Sequence, residues 1–134
     1  MKYSVVFSSK TGNTQQLANA ITSLLPESDL IYFGPPSECA LQADRFYIGF
    51  WTDKGHCNAE IADFLKHLKG KDIFLFGTAG FGGSAEYFKK ILTAVEKYID
   101  SSNTVIGSYM CQGRMPQSVR ERYIKMKNSP LPIP

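Results

Sequence analysis

Near its start the chain reads Lys2-Tyr3-Ser4-Val5-Val6-Phe7, followed directly by Ser8-Ser9-Lys10-Thr11-Gly12-Asn13-Thr14. The first run is rich in β-branched and aromatic residues and predicts a strand. The second is a polar loop with one glycine. Beyond it, apolar residues recur at helical spacing until Pro26 stops the pattern: Leu17, Ala18, Ile21, Leu24 and Leu25. The opening of the chain therefore predicts a strand, a loop and a helix in direct succession.

The same alternation continues along the chain. Further strands are predicted over Asp29 to Phe33, Arg45 to Trp51, Asp72 to Phe76 and Thr104 to Met110. Helical spacing marks Ile61 to Leu68, Ala85 to Ile99 and Val119 to Met126. Strands that are apolar throughout are typical of a parallel sheet covered on both faces. We therefore predict one α/β domain over residues 1–134, doubly wound, with five strands and helices on both faces.

Composition narrows the function classes. The chain has 134 residues, of which 43% are hydrophobic and 20% charged, as in ordinary globular domains. The absence of a long apolar run predicts no membrane span, and a net charge of +3 without a dense basic stripe predicts no nucleic-acid partner. The odd set of Cys39, Cys57 and Cys111 indicates reduced thiols in the cytoplasm, and no residue spacing suggests a metal site.

The loop after the first strand has the composition of a phosphate site. In a doubly wound sheet, ligands bind outside the carboxyl ends of the strands. Ser9, Thr11 and Thr14 supply hydroxyl groups, and Gly12 allows the backbone to close around an anion. The helix that begins near Asn13 directs unpaired N–H groups at the same point. The alternative is a capped helix with no ligand.

This loop matches neither the P-loop pattern nor the Gly-x-Gly-x-x-Gly fingerprint. Ser9-x-Thr11-Gly12-Asn13-Thr14, directly after the first strand, instead resembles the FMN phosphate loop of the flavodoxin family. The resemblance adds Lys10 to the loop residues that contact the cofactor. It implies a parallel sheet of order 2-1-3-4-5, bound FMN, and electron transfer between a donor reductase and an acceptor oxidoreductase.

The loop after the third strand, Gly49 to Gly55, carries the single tryptophan of the chain, Trp51. A planar ligand would cover this aromatic ring by stacking. The alternative is a ring packed over the edge of the sheet. In flavodoxins an aromatic residue here flanks the isoalloxazine and a neighbouring glycine peptide hydrogen-bonds the flavin. The resemblance therefore assigns Trp51 and Gly55 to the cofactor site, together with Thr52 and Asp53.

The loop after the fourth strand, Gly77 to Gly83, is rich in glycine. It is similar to the flavodoxin loop that supplies a second aromatic residue beside the flavin. Phe81 or Tyr87 could be that residue, and Phe81 is favoured. The resemblance assigns four residues of this loop to the site: Thr78, Ala79, Gly80 and Phe81. Many flavodoxins carry an acidic residue in this loop, whereas the nearest here is Glu86.

The segment after the fifth strand, Cys111-Gln112-Gly113-Arg114, is similar to the same region of short flavodoxin-like proteins found near bilin and bilirubin reductases. The run Gly49-Phe50-Trp51-Thr52-Asp53-Lys54-Gly55 shares that similarity. Cys111 is expected to be a buried structural thiol, and a redox-active thiol beside the flavin is the alternative.

These features together predict an FMN-binding electron carrier without catalytic residues of its own. Two alternatives are an FMN-dependent reductase that uses NAD(P)H on a small molecule, and a non-catalytic accessory protein that binds a partner. The stretch from Arg114 to Lys127 holds five basic residues and one acid. It is expected either to dock a partner or to form a solvated helix face.

Overall fold

Strands and helices alternate along the part of the chain that the structure, a computed structural model, describes: residues 1–10, 12–79 and 85–112. The strands are β1 (Tyr3–Phe7), β2 (Leu30–Gly34), β3 (Arg45–Asp53), β4 (His56–Cys57), β5 (Asp72–Ala79) and β6 (Thr104–Gln112). The helices are α1 (Asn13–Ser23), α2 (Ala59–Leu65) and α3 (Ala85–Glu96), and two 3-10 turns cover Glu27–Asp29 and Glu38–Gln42. The helix expected over Val119 to Met126 lies outside these ranges.

The sheet has the order β2-β1-β3-β5-β6, and all of these neighbours pair in parallel. When the five long strands are counted in chain order, this is the expected order 2-1-3-4-5, which is therefore confirmed. The sheet also contains a sixth, two-residue strand that was not expected. The sixth, β4, pairs antiparallel with β3 through Thr52 and Cys57. Two residues are too few to show the alternation that identifies a strand in a sequence.

Helices cover both faces of the sheet, as expected. On one face α1 packs Leu17, Ala18 and Ile21 against apolar side chains of the central strands. On the other face α2 and α3 contribute a second cluster that includes Ile61 and Val95. Successive residues of a strand point to opposite faces, so each central strand supplies both clusters. None of the helices in the described ranges is long and apolar enough to cross a membrane.

Two strands run further than the sequence indicated. β3 continues past Trp51 to Asp53, and β5 continues past Phe76 to Ala79. The expected end of β5 was set by the glycine-rich stretch from Gly77, because glycine usually interrupts a strand. Gly77 instead lies inside β5, in register with Phe50.

Cross-strand packing explains these glycines. A Cβ atom at Gly77 would lie 2.4 Å from Cζ of Phe50, and one at Gly49 would lie 2.3 Å from Cε2 of Phe76. Both separations are far below van der Waals contact, so the two phenylalanine rings occupy the space that a side chain would need. Gly49 and Gly77 thus serve the core, and neither is part of a loop.

The connection from β2 to β3 crosses β1 without an α-helix. Its middle is the 3-10 turn Glu38–Gln42, which begins at Ser37, whose hydroxyl accepts from the backbone N–H of Cys39. The buried Ser4 hydroxyl of β1 donates to the carbonyl of Ala40 at 2.9 Å. This bond fixes the short crossover over the central strands and satisfies a polar group inside the core.

Candidate functional site

The loop after β1 is closed by the Ser9 side chain. Its hydroxyl oxygen accepts from the backbone N–H of Gly12 at 3.0 Å and from that of Gln15 at 3.3 Å. Gly12 is the N-cap of α1 and has left-handed backbone angles, with φ of 90° and ψ of −10°. A Cβ atom there would meet nothing within 4 Å, so the glycine is required by its backbone angles. The residues present therefore form the loop-to-helix junction that an anion site needs. Thr11 lies outside the described residues.

The first turn of α1 is tied to the sheet by two threonines. Thr14 is 1% exposed and Thr78 is 4% exposed, and their hydroxyl oxygens lie 3.0 Å apart. The Thr14 hydroxyl also donates to the carbonyl of Phe50 at 3.4 Å. With that proton so placed, Thr78 is the donor to Thr14. Both hydroxyls thus bond within the protein, and their contact with a cofactor stays a prediction.

Trp51 lies half-buried near the carboxyl end of β3, and its backbone is held on both sides by the buried Asn58. The backbone N–H of Trp51 donates to Oδ1 of Asn58 at 3.4 Å, and the backbone N–H of Asn58 donates to the Trp51 carbonyl at 3.2 Å. The ammonium of Lys10 lies 5.0 Å from the centre of the indole ring. The side chains of the first and second loops therefore meet at this edge of the sheet.

The expected loop beyond Trp51 is a tight β-hairpin formed by β3 and β4. Asp53 pairs with His56, and the two residues between them, Lys54 and Gly55, have φ of 53° and 86°. Positive φ at both central positions is what a type I′ turn requires. Lys-Gly is a weaker turn signal than Asn-Gly or Asp-Gly, and for that reason the hairpin was missed. Gly55 is thus a turn residue, and its role toward a flavin stays a prediction.

Two polar atoms of this hairpin are buried without a hydrogen-bond partner among the described residues: Oγ1 of Thr52 and Nδ1 of His56. The His56 ring lies 5.7 Å from the ring of Tyr98. An unpaired buried polar group costs about 1–3 kcal/mol, so such atoms often await a ligand or water. Thr52 was expected in the site. His56 was missed, because one histidine without co-ligands carries no pattern of its own.

The loop after β5 is described only in part. Ala79 is 2% exposed and packs in the core cluster on the α2 and α3 face. Gly80 and Phe81 lie outside the described residues. Tyr87, the other candidate for the second aromatic, is half-buried on α3, with its ring 6.2 Å from that of Phe88. The choice between Phe81 and Tyr87 therefore stays open.

Cys111 lies on β6 in register with Thr78 and is 5% exposed. Burial raises its pKa to about 11, and it raises the pKa of Cys57 to about 11 as well. The thiolate is the strongly nucleophilic form, and with pKa values of about 11 only a small fraction of either thiol is ionised near neutral pH. The expected burial of Cys111 is confirmed. Within the described ranges, no group of three or more His, Cys, Asp or Glu residues could hold a metal ion.

Comparison with known proteins gives one family. The flavodoxin domain family matches residues 4–132. The flavodoxin-like domain-containing protein BilS of Clostridium symbiosum is 41% identical to this chain. The match covers 94% of this chain and 75% of that protein. BilS of Clostridioides difficile is 33% identical to this chain, and the match covers 94% of this chain and 74% of that protein.

Solved structures share the fold. A short-chain flavodoxin associated with a non-canonical PDU bacterial microcompartment has a TM-score of 0.64 at 21% identity, with 96% of this chain and 95% of that chain covered. Oxidised flavodoxin 2 from Bacillus cereus has a TM-score of 0.66 at 20% identity, with 96% of each chain covered. A flavoprotein in complex with FMN from Lactobacillus acidophilus has a TM-score of 0.61 at 16% identity, with 92% of this chain and 98% of that chain covered.

Proposed function

The chain belongs to the flavodoxin family, and from that premise we propose that it shuttles electrons from a donor reductase to an acceptor oxidoreductase. FMN as the cofactor and electron transport as the general role follow from the family. The chain is an electron carrier, and we propose that residues 1–134 act as one domain with one FMN.

The single observation that carries this proposal is the meeting of two loops at the carboxyl edge of the sheet. The ammonium of Lys10, in the loop closed by Ser9, lies over the indole of Trp51. Two adjacent segments would therefore bind one ligand, with its phosphate at the Gly12 junction and its planar ring against Trp51. This edge is where doubly wound sheets bind their ligands.

The residues present fit FMN. An anion is favoured at the start of α1, and we propose this junction as the phosphate site, although the backbone N–H groups of Gly12 and Gln15 donate to the Ser9 hydroxyl here. Trp51 would stack on the ring, and the unpaired Oγ1 of Thr52 and Nδ1 of His56 are candidates for its polar groups. Bound FMN would supply the redox chemistry, since it can accept electrons from the donor and give them to the acceptor.

The acceptor class is suggested by the similarity to short flavodoxin-like proteins found near bilin and bilirubin reductases. We propose a reductase of linear tetrapyrroles as the acceptor. The three free cysteines, one exposed and two buried, suit a reducing compartment, which supports a cytoplasmic protein.

The test begins with the visible spectrum of the purified chain before and after addition of FMN. Tight binding of FMN, followed by transfer of electrons from an NADPH-linked donor reductase to the acceptor only when the chain is present, is the expected result. Steady NAD(P)H oxidation by the chain alone would assign it to the reductases. A protein that stays colourless with excess FMN would be an accessory protein instead.

A further inference from the structure

Lys10 is placed over the ring that is proposed to stack on the flavin. Its ammonium lies 5.0 Å from the centre of the Trp51 indole, within the range of a cation–π contact. Lys10 is exposed, and none of the ion pairs among the described residues includes it. The indole is therefore the one described partner of this charge.

Both partners of this contact are attached to fixed backbone. The loop that carries Lys10 is closed by the Ser9 hydroxyl, and the backbone of Trp51 is held from both sides by Asn58. A charge at the end of a flexible side chain keeps a preferred position only if its anchor and its target are both held. While Lys10 lies over the indole, the face that it covers is not available to a planar ligand.

A positive charge beside a flavin affects its two redox states unequally. Reduction adds negative charge to the ring system, so a nearby cation favours the reduced form over the oxidised form. The described carboxylate nearest in sequence to Trp51 is Asp53, on the hairpin, and it would oppose this effect. The balance between reduced and oxidised flavin thus depends on whether the Lys10 charge stays beside Trp51.

We propose that Lys10 is a positioning residue that acts through Trp51. Its ammonium orients the indole at the mouth of the site and makes the electron affinity of the bound flavin greater than it would be without that charge. This inference rests on the proposed function, because it needs a flavin stacked on Trp51. It differs from a phosphate role for Lys10, in which loss of the charge would weaken FMN binding and leave riboflavin unaffected.

The test compares Lys10→Met, Lys10→Arg and a matched control. Methionine keeps the length of the side chain without its charge, and arginine keeps both the charge and the ability to stack. The control is Lys66→Met, since the Lys66 ammonium lies 5.4 Å from the ring centre of Tyr98, a similar contact elsewhere. Three quantities are measured: acrylamide quenching of Trp51 emission in the FMN-free protein, affinity for FMN and riboflavin, and the midpoint potential of bound FMN.

We expect Lys10→Met to make Trp51 more accessible to acrylamide, a neutral quencher, in the FMN-free protein. It should also lower the ratio of reduced-FMN to oxidised-FMN affinity by about threefold or more, as expected for the loss of one nearby charge. FMN and riboflavin should lose affinity alike. Lys10→Arg should restore all three quantities, and Lys66→Met should match the wild type.

An unchanged potential in Lys10→Met would overturn the proposal, and so would a loss confined to FMN with riboflavin unaffected. The second result would assign Lys10 to the phosphate. If the wild-type chain bound neither flavin, the proposed function and the redox part of this inference would both fail. The Trp51 quenching of the FMN-free protein would then refute or support the orienting contact alone.

Discussion

Replacing Thr78 by valine should destabilise the protein by breaking the bond that ties α1 to the sheet. Valine has nearly the shape of threonine, so the packing is preserved and the hydroxyl alone is lost. The Thr78 hydroxyl lies 3.0 Å from Oγ1 of Thr14, and both residues are buried. A neutral hydrogen bond contributes about 0.5–1.5 kcal/mol net, and a buried group left unpaired costs about 1–3 kcal/mol.

We therefore expect Thr78→Val to lower the free energy of unfolding by about 1–2 kcal/mol. For a domain of this size that corresponds to a fall in Tm of about 4–8 °C. Thr14→Val should cost more, because it removes the acceptor for Thr78 and the donor to the Phe50 carbonyl. The double variant should cost less than the sum of the two, with a coupling of about 1 kcal/mol.

Urea unfolding of the FMN-free protein, followed by circular dichroism, measures all three variants. Thr93→Val is the matched control. Its hydroxyl donates to the Lys89 carbonyl at 2.9 Å on the exposed side of α3, where water can replace the bond. The control should therefore change stability by less than about 0.5 kcal/mol. Additive losses for Thr14 and Thr78, or a loss at Thr78 no larger than at Thr93, would refute the interior link.

Further outcomes follow from the site. Trp51→Ala should weaken FMN binding by about 1–3 kcal/mol, and wild-type Trp51 emission should be quenched at saturating FMN; unchanged emission would rule out stacking. Gly12→Ala places a side chain at φ of 90° and should cost about 1 kcal/mol of stability while weakening FMN more than riboflavin in parallel titrations. Because the pKa of Cys111 rises from 9.0 to about 11 on folding, its contribution to stability is complete below pH 9 and is lost between pH 9 and about 11. The urea midpoint of the wild type should fall as the pH rises over that range, and that of Cys111→Ala should fall less. An equal fall in both proteins would contradict a raised pKa of Cys111 in the folded state.

The long elements could be predicted because their signals are local and repeated. The apolar spacing of Leu17 and Ile21 identifies α1, and the continuous apolar run from Asp72 identifies β5. The two-residue β4 could not be found in this way, since it exists only by pairing with the end of β3. Gly77 was read as the start of a loop for a related reason. The absence of a side chain at Gly77 leaves room for the ring of Phe50, a residue of another strand.

The site shows the same division. Composition indicated the loop from Ser9 to Thr14, but not which way each hydroxyl turns. Thr14 bonds to Thr78, which is 64 residues away in the chain. The contact of Lys10 with Trp51 likewise joins two loops that no spacing relates. Sequence patterns identify which segments reach the carboxyl edge, whereas side-chain partners across that edge depend on the packing of the whole sheet.

Charge is distributed unevenly, and this bears on how an electron carrier would meet its partners. The net charge is +3, yet residues 113–134 hold five basic residues and one acid, so the rest of the chain is slightly acidic. Charges on that last stretch would act on a partner over a Debye length of about 8–10 Å and would therefore change association rates with salt. Lys10 acts over a shorter range, on the neighbouring indole. The rate of meeting a partner and the redox balance of the bound cofactor would then depend on different residues, so that each could be altered by substitution without the other.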